Sequence, residues 1–587
     1  MKARPEGGPD MAADLHRRAA QALQRGLHDE ALELLTRAVS LQPDNAAIHH
    51  DIGAVYWRKG RVFKAEEHYM RAIKLAPASS SAFNSLGALL VERGRLAEAE
   101  KCFLRALQID PRCFEAHHAL GNVLQQTNRT ELSEKAFRCA LELRPAEAPV
   151  WIDLGGLLAT LGRSAEAADC FSKAGDLDSG SAMPWIRLLN LLEKSNRVTE
   201  ACQVLAEKKA MFAGTLDITV IEAKLLRRKG DVAGAITLLE SCRSEVDLAL
   251  PGGTSSGYFF ELGRLYDMNN DTDKAFASFQ EAQIRHGLDP KTSPYDGKEF
   301  SALVARVRQD FTHEMAQGLC PPAEPGATTA PVFLVGFPRS GTTLLDQILS
   351  SHQDVFVAEE RSAVQRMLRG LAALHGENTN ASYPASLNRL NAEDVKKLRQ
   401  LYIAEHRRHQ AIGDQRVFVD KMPLNMAHAG LIQRIFPDAK FILALRHPCD
   451  AVLSNFMQKF NRSGDNVLHD LAISYDEIFG LWERYAGILS LKVHAIRYED
   501  VVANFRPAVA GLLEFIGVEW NDAVMEFDKT AREKGRIKTP SYHQVTQKIY
   551  TRSSGRWLRY RKHLEPVLPI LEPWALKYGY SMDDAGS

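Results

Sequence analysis

A period of 34 residues runs through the first half of this 587-residue chain and restricts its fold more than any other feature. A glycine or asparagine recurs at this interval, and a small residue follows five positions later, as in Gly26 and Ala31. The recurring turn residues are Gly26, Gly60, Gly94, Asn128, Gly162, Asn196 and Gly230, with a further copy at Asn270 after an insertion. A unit of this length cannot bury its apolar face alone, so neighbouring units are expected to stack into a helical solenoid.

Helical hairpins with glycine at the turn and small residues where helices touch resemble the tetratricopeptide repeat, here over residues 12–286. Prolines close the first four units, at Pro43, Pro77, Pro111 and Pro145. The period predicts a buried column formed by Ile52, Leu86, Leu120 and Leu154. It predicts a solvated column formed by Arg37, Arg71, Arg105 and Lys173.

The resemblance implies a concave surface that binds a protein or peptide, whereas a spacer with a solvated face is the alternative. The positions on that surface are His50, Asn84, His118, Ile152 and Asn122.

Bulk composition gives no reason to expect nucleic acid or an anionic membrane as a partner, because the formal net charge is zero and the pI is near 7.3. The sequence contains no run of 18 apolar residues and no apolar signal segment at Met1, so we expect no membrane span and a cytoplasmic location. The eight cysteines form no C-x-x-C pair, and buried thiols in a reducing compartment are expected.

The pattern changes after the repeats. Residues 287–330 are predicted to form a helix and a Pro/Gly linker. One face of that helix would carry Phe300, Leu303, Val304, Val307 and Phe311. Beyond residue 330, apolar strands alternate with helices, which predicts a P-loop-like α/β domain with a parallel sheet over residues 331–575. The predicted strands are Val332–Val335, Val417–Val419, Phe441–Leu445 and Val493–Ile496.

The segment Gly336-Phe-Pro-Arg-Ser-Gly-Thr-Thr343 fits the phosphate-binding P-loop pattern, except that Thr342 stands where the lysine belongs. Backbone N–H groups and a helix N-terminus still suit an anion. Without the lysine, Mg²⁺-dependent chemistry at a γ-phosphate is poorly served, which argues against a P-loop kinase or NTPase. The loop therefore favours a nucleotide whose reacting group is not a γ-phosphoryl.

Three other motifs follow predicted strands, and the carboxyl ends of parallel strands are where such sheets bind ligands. They are Asp420-Lys421-Met-Pro423, Arg446-His-Pro-Cys-Asp450 with Ser454 in the next helix, and Arg497-Tyr498-Glu499-Asp500. Cationic residues at three strand ends, together with the loop, indicate a site for a nucleotide with several separate anionic groups.

With these motifs, residues 331–575 resemble the sulfotransferases, specifically the bacterial tetratricopeptide-repeat sulfotransferases related to protein-tyrosine sulfotransferases. The resemblance implies 3′-phosphoadenylyl sulfate (PAPS) as the donor cosubstrate, with no metal. It implies that the 5′-phosphosulfate is held by Arg339, Ser340, Gly341, Thr342 and Thr343. It also implies that Arg446 and Ser454 hold the 3′-phosphate and that Tyr498 lies by the nucleotide.

The same resemblance implies catalytic roles for Glu360, Lys421, Ser541 and Arg339, and nucleotide contacts for Arg552 and Arg556. Glu360, the expected base, follows Arg339 by 21 residues, which is the spacing in the family. Family members read Gly-Glu-Glu-Thr-Arg, whereas this chain has Ala-Glu-Glu-Arg-Ser at 358–362, so its Arg361 stands one place earlier than the family's acceptor-contacting arginine. An ordinary solvated glutamate pair is the alternative.

Other titratable residues near these motifs have structural explanations. His352 and His447 are possible bases by analogy with related sulfotransferases. His352 is expected to pack, and His447 follows the arginine expected at the other end of the nucleotide. Asp450 is expected to cap or brace its own helix.

The resemblance implies sulfate transfer to a hydroxyl, with tyrosine in a protein or peptide as the acceptor and the repeats presenting it. Carbohydrate, lipid or small-molecule hydroxyls are alternatives, because a fold does not fix a substrate. A catalytically silent repeat scaffold whose α/β domain binds nucleotide is another.

Overall fold

A computed structural model of the chain describes residues 8–212, 214–248, 252–289, 297–318, 330–376, 383–407, 416–459, 466–533 and 554–583. The chain divides into two compact units, residues 1–212 and 213–587. The predicted domain boundaries at residues 286 and 330 stay a prediction.

Helices make up the first unit, and each one packs against the next along the chain. Their bounds are α1 Gly8–Gln24, α2 His28–Leu41, α3 Ala46–Arg58, α4 Val62–Leu75, α5 Ser80–Glu92, α6 Leu96–Ile109, α7 Phe114–Gln126, α8 Thr130–Leu143, α9 Ala148–Thr160, α10 Ser164–Leu177, α11 Met183–Lys194 and α12 Val198–Lys208, followed by a 3₁₀ helix at Lys209–Phe212. The turn residues have positive φ, for example 76° at Gly26 and 57° at Asn128, a conformation that glycine and asparagine tolerate best. The predicted repeat solenoid is confirmed.

The two side-chain columns predicted from the period are also confirmed. The apolar column is buried, and the basic column is exposed. The positions predicted for the concave surface are half-buried, and two of them pair across neighbouring repeats: His50 Nε2 lies 3.0 Å from Ser85 Oγ, and His118 Nε2 lies 2.7 Å from Asp153 Oδ2. Among the cysteines, Cys170 is buried, which raises the pKa of its thiol to about 11, and Cys102 is half-buried.

A second glycine column, which the sequence reasoning missed, lets consecutive helices approach each other. A Cβ placed on Gly121 would lie 2.5 Å from Cε1 of Phe137, and Gly87 faces Phe103 in the same way. Gly53 and Gly155 repeat the arrangement against Tyr69 and Phe171. Glycine at this position therefore makes room for the aromatic ring of the following helix.

Replacement of Gly121 by alanine should lower the free energy of unfolding by roughly 1–3 kcal/mol, because the added methyl group overpacks a buried ring. Urea unfolding of the full chain, followed by circular dichroism, measures the effect. Gly156→Ala is a matched control in the neighbouring repeat, since a Cβ there meets no atom within 4 Å. Equal stability of the two variants would contradict this explanation.

The second unit begins with helices and continues into a five-stranded parallel sheet. Its first helices are α13 Leu216–Lys229, α14 Val232–Ser241, α15 Arg243–Leu248, α16 Gly253–Met268, α17 Thr272–Gly287, α18 Gly297–Asp310 and α19 His313–Gly318. On α18 and just after it, Val304, Val307 and Phe311 are buried, as predicted.

The strands are β1 Val332–Gly336, β2 Val355–Glu359, β3 Val417–Lys421, β4 Lys440–Leu445 and β5 Lys492–Arg497, and their order across the sheet is β2-β3-β1-β4-β5. The remaining helices are α20 Thr342–Ser350, α21 Ala363–His375, α22 Ala392–Arg407, α23 Ala429–Ile435, α24 Pro448–Phe456, α25 Val467–Ile488, α26 Tyr498–Ala503, α27 Phe505–Ile516, α28 Phe527–Glu533, α29 Arg561–Leu564 and α30 Leu568–Lys577. Short 3₁₀ helices occur at Ala385–Arg389, Pro423–His428, Asp522–Glu526, Arg556–Tyr560 and Glu565–Val567. The predicted parallel α/β fold is confirmed, and β2 is a strand that the sequence reasoning missed.

Apolar side chains from the helices before the sheet and from the sheet itself form one continuous core in this unit. Phe259 of α16, Phe333 of β1 and Phe441 of β4 all belong to it. The last helical hairpins are therefore packed as part of the same unit as the sheet.

Candidate active site

The phosphate-loop segment connects β1 to α20. At Gly336 φ is 155°, and a Cβ there would lie 2.5 Å from the backbone oxygen of Ala444 in β4, so only glycine fits. Gly341, with φ 92°, precedes the first residue of α20. The Ser340 side chain points into the structure: this residue is 1% exposed, and its Oγ has no hydrogen-bond partner among the described residues. An orphaned buried hydroxyl beside a helix N-terminus suits an anionic ligand.

Three residues that were predicted to contact the nucleotide surround this loop. Arg339 Nε donates to Ser454 Oγ at 3.1 Å, and Arg446 Nη1 donates to the backbone oxygen of Arg339 at 3.2 Å. The Arg446 guanidinium lies 5.0 Å from the centroid of the Tyr498 ring. A Cβ on Gly341 would lie 2.9 Å from Cδ2 of Tyr498, so the ring lies against the loop. The structure thus brings these predicted donor-binding residues together.

The expected base lies beside the expected lysine. Glu359 ends β2 opposite Lys421 in β3, and the backbone N–H of Glu360 donates to the backbone oxygen of Lys421 at 2.8 Å. Lys421 Nζ donates to Glu360 Oε1 at 2.9 Å. The Lys421 side chain is fully buried, whereas that of Glu360 is 39% exposed. An acceptor arriving from solvent can therefore reach the glutamate.

Lys421 contacts two further carboxylates. Its Nζ lies 3.5 Å from Glu359 Oε1 and 3.7 Å from Asp346 Oδ2. Burial lowers the pKa of Lys421, but the charges of Asp346, Glu360 and Glu359 outweigh it, and the net shift is upward. Lys421 is therefore a buried cation at neutral pH, stabilised by three carboxylates.

Both alternative histidines have structural contacts. His352 is buried, with Nε2 2.9 Å from the backbone oxygen of Glu519, as expected of a packed residue. His447 stacks on Trp557 with ring centroids 4.7 Å apart, and burial lowers its pKa to about 4. Neither contact involves Glu360 or Lys421.

The expectation that Asp450 caps its own helix is wrong. Asp450 accepts hydrogen bonds from the backbone N–H groups of Gly555 and Trp557, both at 2.8 Å. His447 caps α24 instead, with Nδ1 accepting from the N–H of Cys449 at 3.2 Å. Proline at the first position of this helix explains the difference, since it fixes the preceding residue as the cap.

The predicted residues near the C-terminus have different outcomes. Ser541 and Arg552 lie outside the described residues. Arg556 forms an ion pair with Asp267 of α16, and Tyr560 Oη donates to the same carboxylate at 2.7 Å. The guanidinium of Arg556 is therefore engaged by the helical hairpin in this structure.

Similarity to known proteins agrees with this geometry. Residues 331–522 match the Sulfotransferase family, and tetratricopeptide repeat families match residues 22–60, 44–112, 78–146 and 118–182. The tetratricopeptide-repeat sulfotransferase family fits the chain.

Relatives of this chain include an uncharacterized Aquifex aeolicus protein, 29% identical over 338 residues. That alignment covers 55% of this chain and 42% of the Aquifex protein. Protein-tyrosine sulfotransferase 1 of Danio rerio is 25% identical over 263 residues, which are 42% of this chain and 72% of that one. The Drosophila melanogaster protein-tyrosine sulfotransferase is 24% identical over 43% of this chain and 54% of its own length.

A solved structure from the functional characterization of Pseudomonas aeruginosa pilF aligns in full with 37% of this chain, at 20% identity and a TM-score of 0.34. This likeness is too weak to support any conclusion about the fold.

The described part of this chain has no cluster of three or more His, Cys, Asp or Glu side chains arranged to hold a metal ion. Every helix in the same part is too short or too polar to cross a membrane.

Two site residues were missed by the sequence reasoning. Asp346 contacts Lys421, and Asn455 Nδ2 donates to the backbone oxygen of Pro338 in the loop at 2.7 Å. Asn455 follows Ser454, so its position could have suggested a link to the loop. Asp346 stands 75 residues before Lys421, and no spacing rule would have paired them.

Proposed function

We propose that this sulfotransferase moves a sulfuryl group from PAPS to an acceptor hydroxyl, with tyrosine in a protein or peptide as the acceptor. The observation that carries the proposal is the hydrogen bond between Lys421 and Glu360 at the carboxyl ends of neighbouring strands. It pairs a buried cation with a solvent-accessible carboxylate. A phosphate-type loop without the nucleotidase lysine follows β1, the next strand of the same sheet.

The loop residues Arg339, Ser340, Gly341, Thr342 and Thr343 would hold the phosphosulfate. The orphaned Ser340 hydroxyl supports this fit. Arg446 and Ser454 would hold the 3′-phosphate, and Tyr498 would flank the nucleotide. Arg552 is assigned to the phosphates only by resemblance, and Arg556 would have to release Asp267 to reach them.

In the proposed reaction, the acceptor oxygen attacks sulfur, and an oxygen–sulfur bond forms. The bond between sulfur and the bridging oxygen of the donor breaks, and that oxygen keeps the electron pair. The acceptor proton goes to the Glu360 carboxylate, and 3′-phosphoadenosine 5′-phosphate leaves. Lys421, together with Ser541, would stabilise the negative charge that develops on the bridging oxygen.

The acceptor class rests on the names of the relatives, which are protein-tyrosine sulfotransferases. A peptide would use the repeat surface around His50, Asn84, His118, Ile152 and Asn122. There Asn84 Oδ1 is buried with no hydrogen-bond partner among the described residues, and a peptide amide would satisfy it. Carbohydrate or small-molecule hydroxyls remain the alternative acceptors.

Incubation of the full chain with PAPS labelled in the sulfate group and a cell lysate tests the proposal. We expect a mass gain of one sulfuryl group on tyrosine-containing peptides, and none with the Glu360→Gln variant. If only glycans or small molecules carried the label, the acceptor would be a hydroxyl of that class and not tyrosine. Tight binding of 3′-phosphoadenosine 5′-phosphate without any labelled product would favour a silent scaffold, and Mg²⁺-dependent ATP hydrolysis would favour an NTPase.

A further inference from the structure

Asp346 lies on α20, the helix that follows the phosphate loop, and its side chain turns toward β3. The residue is 2% exposed, with Oδ2 3.7 Å from Lys421 Nζ. Its other oxygen, Oδ1, accepts a hydrogen bond from Ser350 Oγ at 3.0 Å, one turn further along the helix. The carboxylate is therefore fixed both by burial and by its own helix.

Glu360 differs from Asp346 in its freedom to move. Its side chain is 39% exposed, whereas that of Asp346 is 3% exposed. Both carboxylates attract the same ammonium group. If an anion approached Lys421, Glu360 could turn away toward solvent, but Asp346 could not.

The proposed reaction makes two demands on Lys421 that conflict in the observed arrangement. The Glu360 oxygen Oε1 accepts a hydrogen bond from Lys421 at 2.9 Å, so it is not open to the acceptor's proton until that hydrogen bond breaks. The developing charge on the donor's bridging oxygen needs the same ammonium group. Lys421 must therefore exchange Glu360 for the donor while it stays charged and in place.

We propose that Asp346 is a positioning residue for sulfate transfer, holding the Lys421 ammonium in place while the donor's anion displaces Glu360 from it. This inference rests on the proposed function. Donor binding would then release the base, so that Glu360 is ready for the acceptor only once the donor is present. The arrangement has a cost, because a fixed carboxylate next to an anion site weakens donor binding.

Asp346 should therefore act in opposite directions on affinity and on turnover. In the Asp346→Asn variant we expect kcat to fall about 10-fold or more, because the lysine loses its fixed partner. The Kd for 3′-phosphoadenosine 5′-phosphate should become several-fold tighter, because a negative charge has been removed. Replacement of a residue that only supports folding would lower kcat and also weaken nucleotide binding.

The experiment measures kcat for PAPS and, by calorimetry, the Kd of 3′-phosphoadenosine 5′-phosphate for the full chain. Asp346→Glu, which keeps the charge, should recover part of the turnover and lose the gain in affinity. Asp354→Asn is the matched control: it removes one negative charge just after the same helix, and within the described residues Asp354 is not an ion-pair partner of Lys421. This control should leave both quantities unchanged.

Unchanged kcat and Kd in Asp346→Asn would overturn the inference. So would a lower kcat together with weaker nucleotide binding. If Asp346→Asn does not fold, the inference is decided by Ser350→Ala, which frees the Asp346 carboxylate and should lower kcat at unchanged Kd. If the unaltered chain transfers no sulfate to any acceptor, the proposed function fails. The Kd of 3′-phosphoadenosine 5′-phosphate for Asp346→Asn would then still show whether the Asp346 charge weakens nucleotide binding.

Discussion

Replacement of Glu360 by glutamine should reduce sulfate transfer by roughly 10²–10⁴-fold, the usual contribution of a positioned general base. Glutamine keeps the shape of the side chain and can still accept a hydrogen bond from Lys421, but it cannot take the acceptor's proton. The affinity for 3′-phosphoadenosine 5′-phosphate should not fall and should rise slightly, because the variant removes a negative charge next to Lys421. Single-turnover transfer of labelled sulfate, together with calorimetry, measures the two effects separately.

Glu359→Gln is the matched control for this prediction. Glu359 is adjacent in sequence and lies 3.5 Å from the same Lys421 ammonium, but its side chain is only 21% exposed. We expect it to retain much more activity than Glu360→Gln. Equal losses of activity in the two variants would show that Glu360 has no role that Glu359 lacks. Full activity in Glu360→Gln would refute the assignment of Glu360 as the base.

Replacement of Lys421 by methionine should abolish transfer and also destabilise the fold. The variant leaves the carboxylates of Asp346, Glu359 and Glu360 around a site without its buried cation. Removing one partner of a buried ion pair costs about 3–5 kcal/mol. Urea unfolding at several pH values, beside the transfer assay, measures both losses.

The pH dependence of this destabilisation has a definite sign. Burial lowers the pKa of Lys421, but the neighbouring carboxylates raise it more, so the pKa in the folded protein lies above the unfolded value. The stabilisation from the charged lysine is therefore complete below about pH 10 and is lost as the pH rises through the folded pKa. Lys421→Met has no ammonium group to titrate, so its stability should approach that of the unaltered protein only above this pH.

Lys421→Arg provides the control for charge. It should recover more stability than Lys421→Met, because it keeps a cation among the carboxylates. It should not recover full activity, because a planar guanidinium differs in shape from an ammonium group. A methionine variant with normal stability at pH 7 would show that the carboxylates do not depend on Lys421.

The sequence predicted the features that depend on local patterns. The helical period placed Leu120 and Leu154 in the core, and the strand-end motifs placed Arg446 and Tyr498 near the loop. The spacing from Arg339 to Glu360 identified a glutamate that lies beside Lys421.

Features that depend on the packing of distant segments were missed. Strand β2 was missed although residues 355–358 are all apolar; it lies at an edge of the sheet, and only two of its five residues are buried. Asp346 acquires its partner only through the tertiary fold, which packs α20 against β1 and β2 and leaves Asp346 3.7 Å from Lys421 of β3. Asp450 was assigned to its own helix because its true partners, Gly555 and Trp557, lie more than a hundred residues away.

The ion pair between Asp267 and Arg556 bears on how this chain can be shortened. Asp267 belongs to the last helical hairpins, and Arg556 belongs to the segment whose backbone Asp450 holds. A fragment starting at residue 331 would discard Asp267 and also Phe276, whose ring stacks on that of Phe456 with centroids 4.9 Å apart. Excising the α/β domain from this polypeptide therefore requires a cut near residue 213, with its supporting helices retained.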